Sequence, residues 1–403
     1  MFMSTVDQRR NDFRFKTVAA FNAFVTASTI FSGRLLENAP SVPSEERRAG
    51  RVTVIVPARN EARNIQRAVG SLLVAAERYG EATVLVVDDG STDGTPALLR
   101  QLQQTHPARA RLKVLRLDEA LPEGWMGKPR ACWRGAQSEV ARAAESDSPL
   151  LRWLLFVDAD TKSAPDLIGR LVAGAMANEA DLYSIFTDQE LGSVAERLIM
   201  PHIFYVLGVG FNWKAINNPQ SEMAIANGQC ILIRRAVYEA IGGHYAVRGA
   251  IAEDKALAER LKGSGYRLYV AEGRELMTTR MYTSLSEIWE GWSKNAYLGL
   301  EGRSWLLLVA VFFGIVGGIL PFIGFPTALR QRRWGEAVAW GMTLVTLLQN
   351  RDRAMREFGV PRWYAFTVPV GALLCCGIAF SAWYKVVSGQ GVTWKGRRYA
   401  VNE

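Results

Sequence analysis

The stretch LLRWLLFVDAD ends in two carboxylates, Asp158 and Asp160, one residue apart. Six of the seven residues from Leu151 to Val157 are apolar, the pattern of a buried strand. Burying a carboxylate without a partner is costly. Two close carboxylates also repel, which raises one pKa unless a cation sits between them. Residues two apart in a strand point the same way, so both side chains can face one ion. Hard divalent cations take oxygen ligands, and magnesium is commonly shared between a few carboxylates and a diphosphate. The strand end therefore reads as half of a metal–diphosphate clamp. Asp also starts turns and caps helices, so the plainer reading of an isolated D-x-D stays open.

Other groups that carry chemistry recur at similar places. VIVPARNEARNI holds Pro57, Arg59 and Glu61, and VVDDGSTDGT holds Asp88 and Asp89. GWMGKPRACWRGA places Lys128 after Gly127, without the GxxxxGK[ST] spacing of a P-loop. The alternative for Lys128 is an ordinary basic residue opening an amphipathic helix. AIAEDKALAERL supplies Glu253 and Asp254, which would also suit a helix N-terminus favoured by the macrodipole. Cys132 and Cys230 are isolated, and Cys375 and Cys376 are adjacent in an apolar segment. No CxxC or Cys/His cluster appears, so neither a zinc site nor a disulfide framework is indicated. Three histidines leave little for Ser-His-Asp chemistry.

The elements that must position these residues alternate. RVTVIVPA reads as a β-branched strand. A helix follows, with Ile65, Val69, Leu72 and Leu73 on one face and Gly80 as its stop. ATVLVVDDGS is a second strand, TPALLRQLQQ a helix and RLKVLRL a third strand. A helix from about Lys128 to Ala144 leads into the strand that ends at Asp158. Near-continuous apolar strands alternating with helices predict an α/β fold with a parallel sheet. Ligands bind such sheets at the carboxyl ends of the strands, where the aspartates fall. AEDKALAERLKGSGYRLYVA predicts a later helix stopped by Gly263 and Gly265, then a strand.

The order strand–PARNE–helix–strand–DDGSTDGT–helix–strand–DAD resembles the family 2 glycosyltransferases over roughly residues 51–295. The resemblance implies a GT-A nucleotide-sugar-binding domain, Rossmann-like with a mostly parallel sheet. It implies that Pro57, Arg59, Glu61, Asp88 and Asp89 lie around the base and ribose, with Lys128 near the nucleotide. Asp160, helped by Asp158, would be the ligand of Mg2+ or Mn2+ at the diphosphate. Glu253 and Asp254 resemble the family's ED pair, whose aspartate takes a proton from the acceptor hydroxyl as it attacks the anomeric carbon. A metal stabilises the leaving diphosphate, and a carboxylate opposite it serves as general base. One such displacement inverts the anomeric configuration. Further along, Arg280, Trp292 and Lys294 are candidates to complete the catalytic set, but the Q/R-x-x-R-W element of many relatives is absent. That departure counts against a processive polysaccharide synthase. The pattern is closer to membrane-attached enzymes that add one sugar to a lipid, notably carotenoid-acid and hopanoid-type glycosyltransferases. The tail SGQGVTWKGRRY (388–399) also resembles their ending.

Bulk properties fit a membrane setting. The 403-residue chain carries a net charge of +9, which suits an anionic membrane surface or a phosphorylated substrate. Trp305 to Leu329 is 25 residues without a charge, and Trp363 to Tyr384 is 22. A span needs roughly 20 apolar residues. Ala337 to Asn350 gives only 14, and Thr17 to Gly33 gives 17 with polar residues included. The latter suits an interfacial or short anchoring helix. The segment 198–211 carries no Asp, Glu, Lys or Arg and reads as core or as an interfacial helix. Three late spans would place Arg330, Arg332, Arg333 and the basic tail outside, against the positive-inside tendency. A re-entrant first segment turning near PFIGFP (321–326) avoids that. Aromatic residues cluster with the apolar spans rather than with a basic stripe, which argues against nucleic acid.

The expected organisation is a leader with a membrane-associated helix (1–50), a GT-A catalytic domain (51–300), membrane segments (301–387) and a basic cytoplasmic tail (388–403). The expected enzyme is an inverting hexosyltransferase of the inner cell membrane, multi-pass, with its catalytic domain in the cytoplasm. A nucleotide sugar, UDP-glucose-like, is the donor, and a lipophilic molecule such as a carotenoid acid or other isoprenoid lipid is the acceptor. The alternatives are a sugar transferase acting on polyprenyl phosphate and a non-catalytic, membrane-anchored nucleotide-sugar sensor.

Overall fold

A computed structural model describes residues 15–21, 23, 40–142, 152–210, 212–250, 252–299, 304–388, 392–394 and 397–399. The chain divides into two compact units. One holds Ala39–Glu190 and Asn212–Met281; the other holds Met1–Asn38, Leu191–Phe211 and Tyr282–Glu403.

The first unit is built on a seven-stranded sheet. Its strands are β1 (Arg51–Ala58), β2 (Ala82–Asp88), β3 (Leu112–Arg116), β4 (Arg152–Val157), β6 (Leu182–Phe186), β8 (Cys230–Arg234) and β9 (Leu268–Glu272), in the spatial order β3-β2-β1-β4-β8-β6-β9. All neighbours pair in parallel except β8, which runs antiparallel to both β4 and β6. A small three-stranded sheet of β5 (Thr161–Ser163), β7 (Asp188–Gln189) and β10 (Met277–Thr279) lies apart from it in pairing, with β10 in the middle.

The sequence explains these strands. Val54, Ile55 and Val56 of β1 and Leu155 of β4 are fully buried, as central strands covered on both faces must be. Each such aliphatic side chain contributes about 1.5–3 kcal/mol through burial. Helix α1 (Ile65–Tyr79) supplies Ile65, Val69, Leu72 and Leu73 to the same core. It ends at Gly80, whose φ of 90° suits a residue without a side chain. Helix α2 (Thr95–Thr105) follows β2. Helix α3 (Gly127–Gln137) is shorter than the expected run to Ala144. Ser138 is extended there; its hydroxyl donates to the Gly135 carbonyl at 2.7 Å and accepts the Ala141 amide at 3.3 Å. That local competition ends one helix and opens a separate turn at Glu139–Arg142. Helix α4 (Leu167–Ala177) covers the sheet after β5.

In the second unit, α5 (Val194–Gly210) carries Pro201 in its interior. Helix α6 (Glu253–Gly263) belongs to the first unit. Then come α7 (Leu285–Gly299), α8 (Ser304–Gly318), α9 (Leu320–Arg330), α10 (Trp334–Glu357) and α11 (Val368–Val387). Two stretches among the described residues are long and apolar enough to cross a membrane. They are Trp305–Arg330 (26 residues, mean hydropathy 2.7, 17% buried) and Arg362–Lys385 (24 residues, 1.9, 44% buried). The first is not one helix: it breaks at Ile319, between α8 and α9. Pro321 lacks an N–H and its ring crowds the carbonyl four residues back, which places the break before the PFIGFP stretch rather than within it. Ala337 to Asn350 lies inside the longer α10. Most of Thr17 to Gly33 and most of the basic tail lie outside the described residues.

Candidate active site

The carboxyl ends of β1, β2 and β4 lie side by side, because these strands are parallel and adjacent. The loop after β1 and the loop after β2 interlock. The Asn60 amide donates to Ser91 Oγ at 2.9 Å, and the Thr92 amide donates back to Asn60 Oδ1 at 2.8 Å. The Glu61 amide donates to Thr95 Oγ1 at 2.8 Å. Asn60 adopts φ 53°, a left-handed conformation that Asn tolerates.

Pro57 lies within β1, opposite Val87 of β2. Asp88 and Asp89 are both buried. Asp88 Oδ1 accepts the Ser91 amide at 3.0 Å and Oδ2 faces Arg116 at 3.4 Å. Asp89 pairs with Arg130 at 3.4 Å and with Arg59 at 3.9 Å. Arg59 also donates to the Asp89 carbonyl. Arg130 in turn holds Glu119 through its carboxylate at 2.8 Å and its carbonyl at 3.0 Å. The two loops are thus clamped by their own charges.

Lys128, on the first turn of α3, gathers three further elements. Its Nζ stands 2.7 Å from Asp158 Oδ1 after β4 and 2.8 Å from Glu253 Oε1 at the start of α6. It donates to the Gly228 carbonyl, just before β8, at 3.3 Å. The Gly228 amide donates to Asp254 Oδ2 at 2.9 Å, and Asp254 Oδ1 accepts the Lys255 amide at 2.8 Å. Gly228 must be small here: a Cβ would lie 2.9 Å from both Asp254 Oδ2 and Lys128 Nζ. Asp160 sits in the turn between β4 and β5. Its carbonyl accepts the Arg280 amide at 3.3 Å, so Arg280, immediately after β10, lies beside it.

The electrostatics follow from this packing. Burial would lower the Lys128 pKa, but Asp158, Glu253 and Asp254 outweigh it and hold the ammonium well above its ordinary value. Burial pushes the Asp158 carboxyl up, with Lys128 opposing. For Glu253 burial also pushes up, yet the charge and hydrogen bond of Lys128 prevail and the carboxyl is held low. Asp254 is pushed up to about 6, by burial first and by Glu253 second. A carboxyl poised there can exchange a proton near neutral pH. Behind these groups His244 is buried, with Nδ1 2.9 Å from the Tyr238 hydroxyl, and burial pushes it down to about 4. It is neutral at pH 7.

The structure therefore brings Lys128, Asp158, Glu253 and Asp254 into one network, with Asp160 on the adjoining turn and Arg280 beside it. Arg59, Asp88 and Asp89 lie at neighbouring strand ends. Trp292 and Lys294 belong to α7 in the other unit. Trp292 is buried there, its indole N–H 3.3 Å from Met200 Sδ and its ring edge-on to Phe204. Among the described residues, no three His, Cys, Asp or Glu side chains form a cluster able to hold a metal alone. Sequence reasoning missed Gly228 and Arg130. It also missed a partly exposed aromatic group, Trp125, Trp133 and Tyr245, with ring centroids 5.3–5.9 Å apart. The Met126 amide between them donates to the Arg248 carbonyl at 2.7 Å, which ties this group to the start of α3.

The chain is similar to several known proteins. Residues 53–242 match the family model described as glycosyl transferase family 2. Over 364 residues the chain is 24% identical to the 4,4'-diaponeurosporenoate glycosyltransferase of Staphylococcus aureus (strain USA300), covering 87% of this chain and 89% of that protein. Among solved structures, it is similar to the mannosyltransferase PcManGT from Pyrobaculum calidifontis in complex with GDP-Man and Mn2+. Identity is 16%, coverage 92% of this chain and 99% of that one, and the TM-score 0.49. S. aureus TarS 1-349 in complex with UDP-GlcNAc aligns at 14% identity over 88% of this chain and 99% of that one, with a TM-score of 0.37.

Proposed function

We propose, from the premise that this chain is a glycosyltransferase with a family 2 domain at residues 53–242, that it moves a hexose from a nucleotide sugar to a lipophilic acceptor with inversion. The observation that carries this reading is the network of Lys128, Asp158, Glu253 and Asp254 at the carboxyl edge of the sheet.

The acceptor hydroxyl would lose its proton to Asp254 as its oxygen attacks the anomeric carbon. The bond to the diphosphate breaks on the opposite side of that carbon, which inverts it. Gly228 and Lys255 fix the Asp254 carboxylate for this role, each through a backbone amide. Lys128 holds Asp158 and Glu253 in place and partly offsets their charge. Three carboxylates around one ammonium remain net negative, and a diphosphate would be repelled without more positive charge. Asp158 and Asp160 offer only oxygen and would suit Mg2+ or Mn2+, hard cations commonly shared between a few carboxylates and a diphosphate. Such an ion supplies Lewis-acid stabilisation of the diphosphate. Arg59, Glu61, Asp88 and Asp89 would frame the nucleoside, and Arg280 would lie toward the phosphates.

The acceptor class is supported by the name of the S. aureus relative, a glycosyltransferase of a carotenoid acid. It is also supported by the two long apolar stretches, which would hold the enzyme in the bilayer where such an acceptor dissolves. The catalytic unit would then face the cytoplasm, where nucleotide sugars are found. The test is mass spectrometry of lipids from cells with and without the protein, followed by transfer assays with purified donor panels. A lipid heavier by one hexose, present only with the protein, is expected. An unchanged lipid profile, together with sugar transfer onto soluble acceptors alone, would sink the reading.

A further inference from the structure

Arg351 lies near the end of α10, in the polar stretch Gln349-Asn350-Arg351-Asp352-Arg353. Its neighbours on that stretch spend their charges locally. Asp352 pairs with Arg362 at 2.5 Å and with Arg356, and Arg353 pairs with Glu357 at 3.5 Å. Arg351 instead turns inward and is only 4% exposed.

Its hydrogen bonding there is sparse. Nη2 donates to the Leu198 carbonyl on α5 at 3.1 Å. Pro201, three residues on, removes an amide from that helix and loosens the turn. Gly371 of α11 makes room: a Cβ there would lie 2.7 Å from the Leu198 oxygen and 3.8 Å from Nη2. His202 and Cys375 lie within electrostatic reach. Burial first, and the Arg351 charge second, push His202 down to about 3, so it is neutral and adds no negative charge. Arg351 Nε and Nη1 have no hydrogen-bond partner among the described residues. No carboxylate there forms an ion pair with it.

A buried guanidinium held by one carbonyl is not compensated. Next to apolar helices such a group marks a site whose missing charge comes from elsewhere. Planar N–H donors match carboxylate and phosphate oxygens. Leu198, which supplies that carbonyl, packs with Met355 and Tyr364 in an apolar cluster, and Val370 and Leu373, beside Gly371 in the α11 sequence, are exposed. We propose that Arg351 is the receptor for the oxyanion head of a membrane-borne amphiphile, a carboxylate or a phosphodiester on an apolar tail. The inference goes beyond sugar transfer and requires neither donor nor metal.

The test uses the full chain purified in a neutral detergent, with thermal unfolding and ligand titration as readouts. The probes are oleate, phosphatidylglycerol, methyl oleate and inorganic phosphate. Saturable stabilisation by several degrees is expected from oleate, phosphatidylglycerol or both, and not from methyl oleate or inorganic phosphate. A response to oleate alone assigns a carboxylate; a response to phosphatidylglycerol alone assigns a phosphodiester. Arg351→Met should bind roughly tenfold or more weakly while unfolding, without ligand, at or above the wild-type temperature, since it removes an uncompensated buried charge. Arg351→Lys should retain part of the response. Equal stabilisation of Arg351→Met, or an equal response to methyl oleate, would overturn the proposal. So would a ligand-free Arg351→Met protein that unfolds several degrees lower, because Arg351 would then be structural. Loss of glycosyl transfer with this binding intact would count against the proposed function alone.

Discussion

The Gly228 amide donates to Asp254 Oδ2 at 2.9 Å, while the Gly228 carbonyl accepts from Lys128 at 3.3 Å. One peptide segment thus orients both the candidate base and the cation that holds its neighbour Glu253. Gly228→Ala keeps the amide but puts a methyl group 2.9 Å from both side chains. We expect near-wild-type circular dichroism and a turnover loss on the order of 10²-fold, the scale of a small misplacement at a reacting centre. Normal turnover in Gly228→Ala would show that Asp254 is not held by this contact during reaction.

Asp254, pushed up to about 6, is mostly a base only above that pH. The sign is therefore fixed. With an alcohol acceptor, the rate should fall as pH drops through about 6, by about tenfold per unit below it. A carboxylic acid acceptor, with pKa about 4, arrives already ionised and needs no base. Asp254→Asn should then lose far less activity with the acid than with the alcohol. Equal losses on both acceptors would argue against a purely proton-abstracting role.

Lys128 holds the Glu253 carboxyl below its ordinary pKa. A carboxyl depressed in the folded state stabilises the fold above its unfolded pKa, and that contribution is lost as pH falls through the folded value. Removing the cation with Lys128→Gln leaves Asp158, Glu253 and Asp254 without their shared positive charge. The cost at pH 7 should be about 2 kcal/mol, below that of a fully buried pair because the Lys128 side chain is 33% exposed. The gap between wild type and variant should narrow below pH 4–5, near the ordinary carboxyl value. Urea denaturation at several pH values reads this directly; a gap independent of pH would mean that the ion pairs do not stabilise the fold.

Chelation addresses the strand end. EDTA should abolish transfer and weaken donor binding, and Mn2+ or Mg2+ should restore both in the wild type. Asp160→Ala should not be rescued at the same metal concentration. Calorimetry of donor binding with and without metal separates this from a folding defect. Near-normal rates in EDTA would remove the clamp.

The legible parts of this molecule are local. β4 announced itself because a strand buried on both faces must be nearly all apolar, and Asp158 and Asp160 stood out against it. The interlocked loops after β1 and β2 were legible because Asn, Asp, Ser and Gly have a restricted set of turn roles. What was not legible comes from distant pairings. Gly228 meets Lys128 across 100 positions and Asp254 across 26, and nothing in ANGQC signals either. Arg130 looked like one more basic residue of α3 until the fold buried it against Asp89. The end of α3 at Gln137 depended on a serine hydroxyl competing with the helix, which apolar periodicity does not register.

Helices α8 and α11 meet through small residues. A Cβ at Gly314 would lie 2.7 Å from Cys376 Sγ, and one at Gly318 would collide with Ala372 Cβ. These are small residues four apart on each helix, the arrangement that lets two helix backbones approach closely. Gly317, on the same helix, has nothing within 4 Å of its Cβ position. Gly318→Leu should therefore lower the unfolding temperature of the detergent-purified protein by several degrees, an overpacking cost of about 2 kcal/mol. Gly317→Leu changes helix propensity by the same amount and should show no such loss. If both variants unfold together below the wild type, the loss is not specific to the contact at Gly318, because Leu is the better helix former and propensity alone would raise the temperature at both positions.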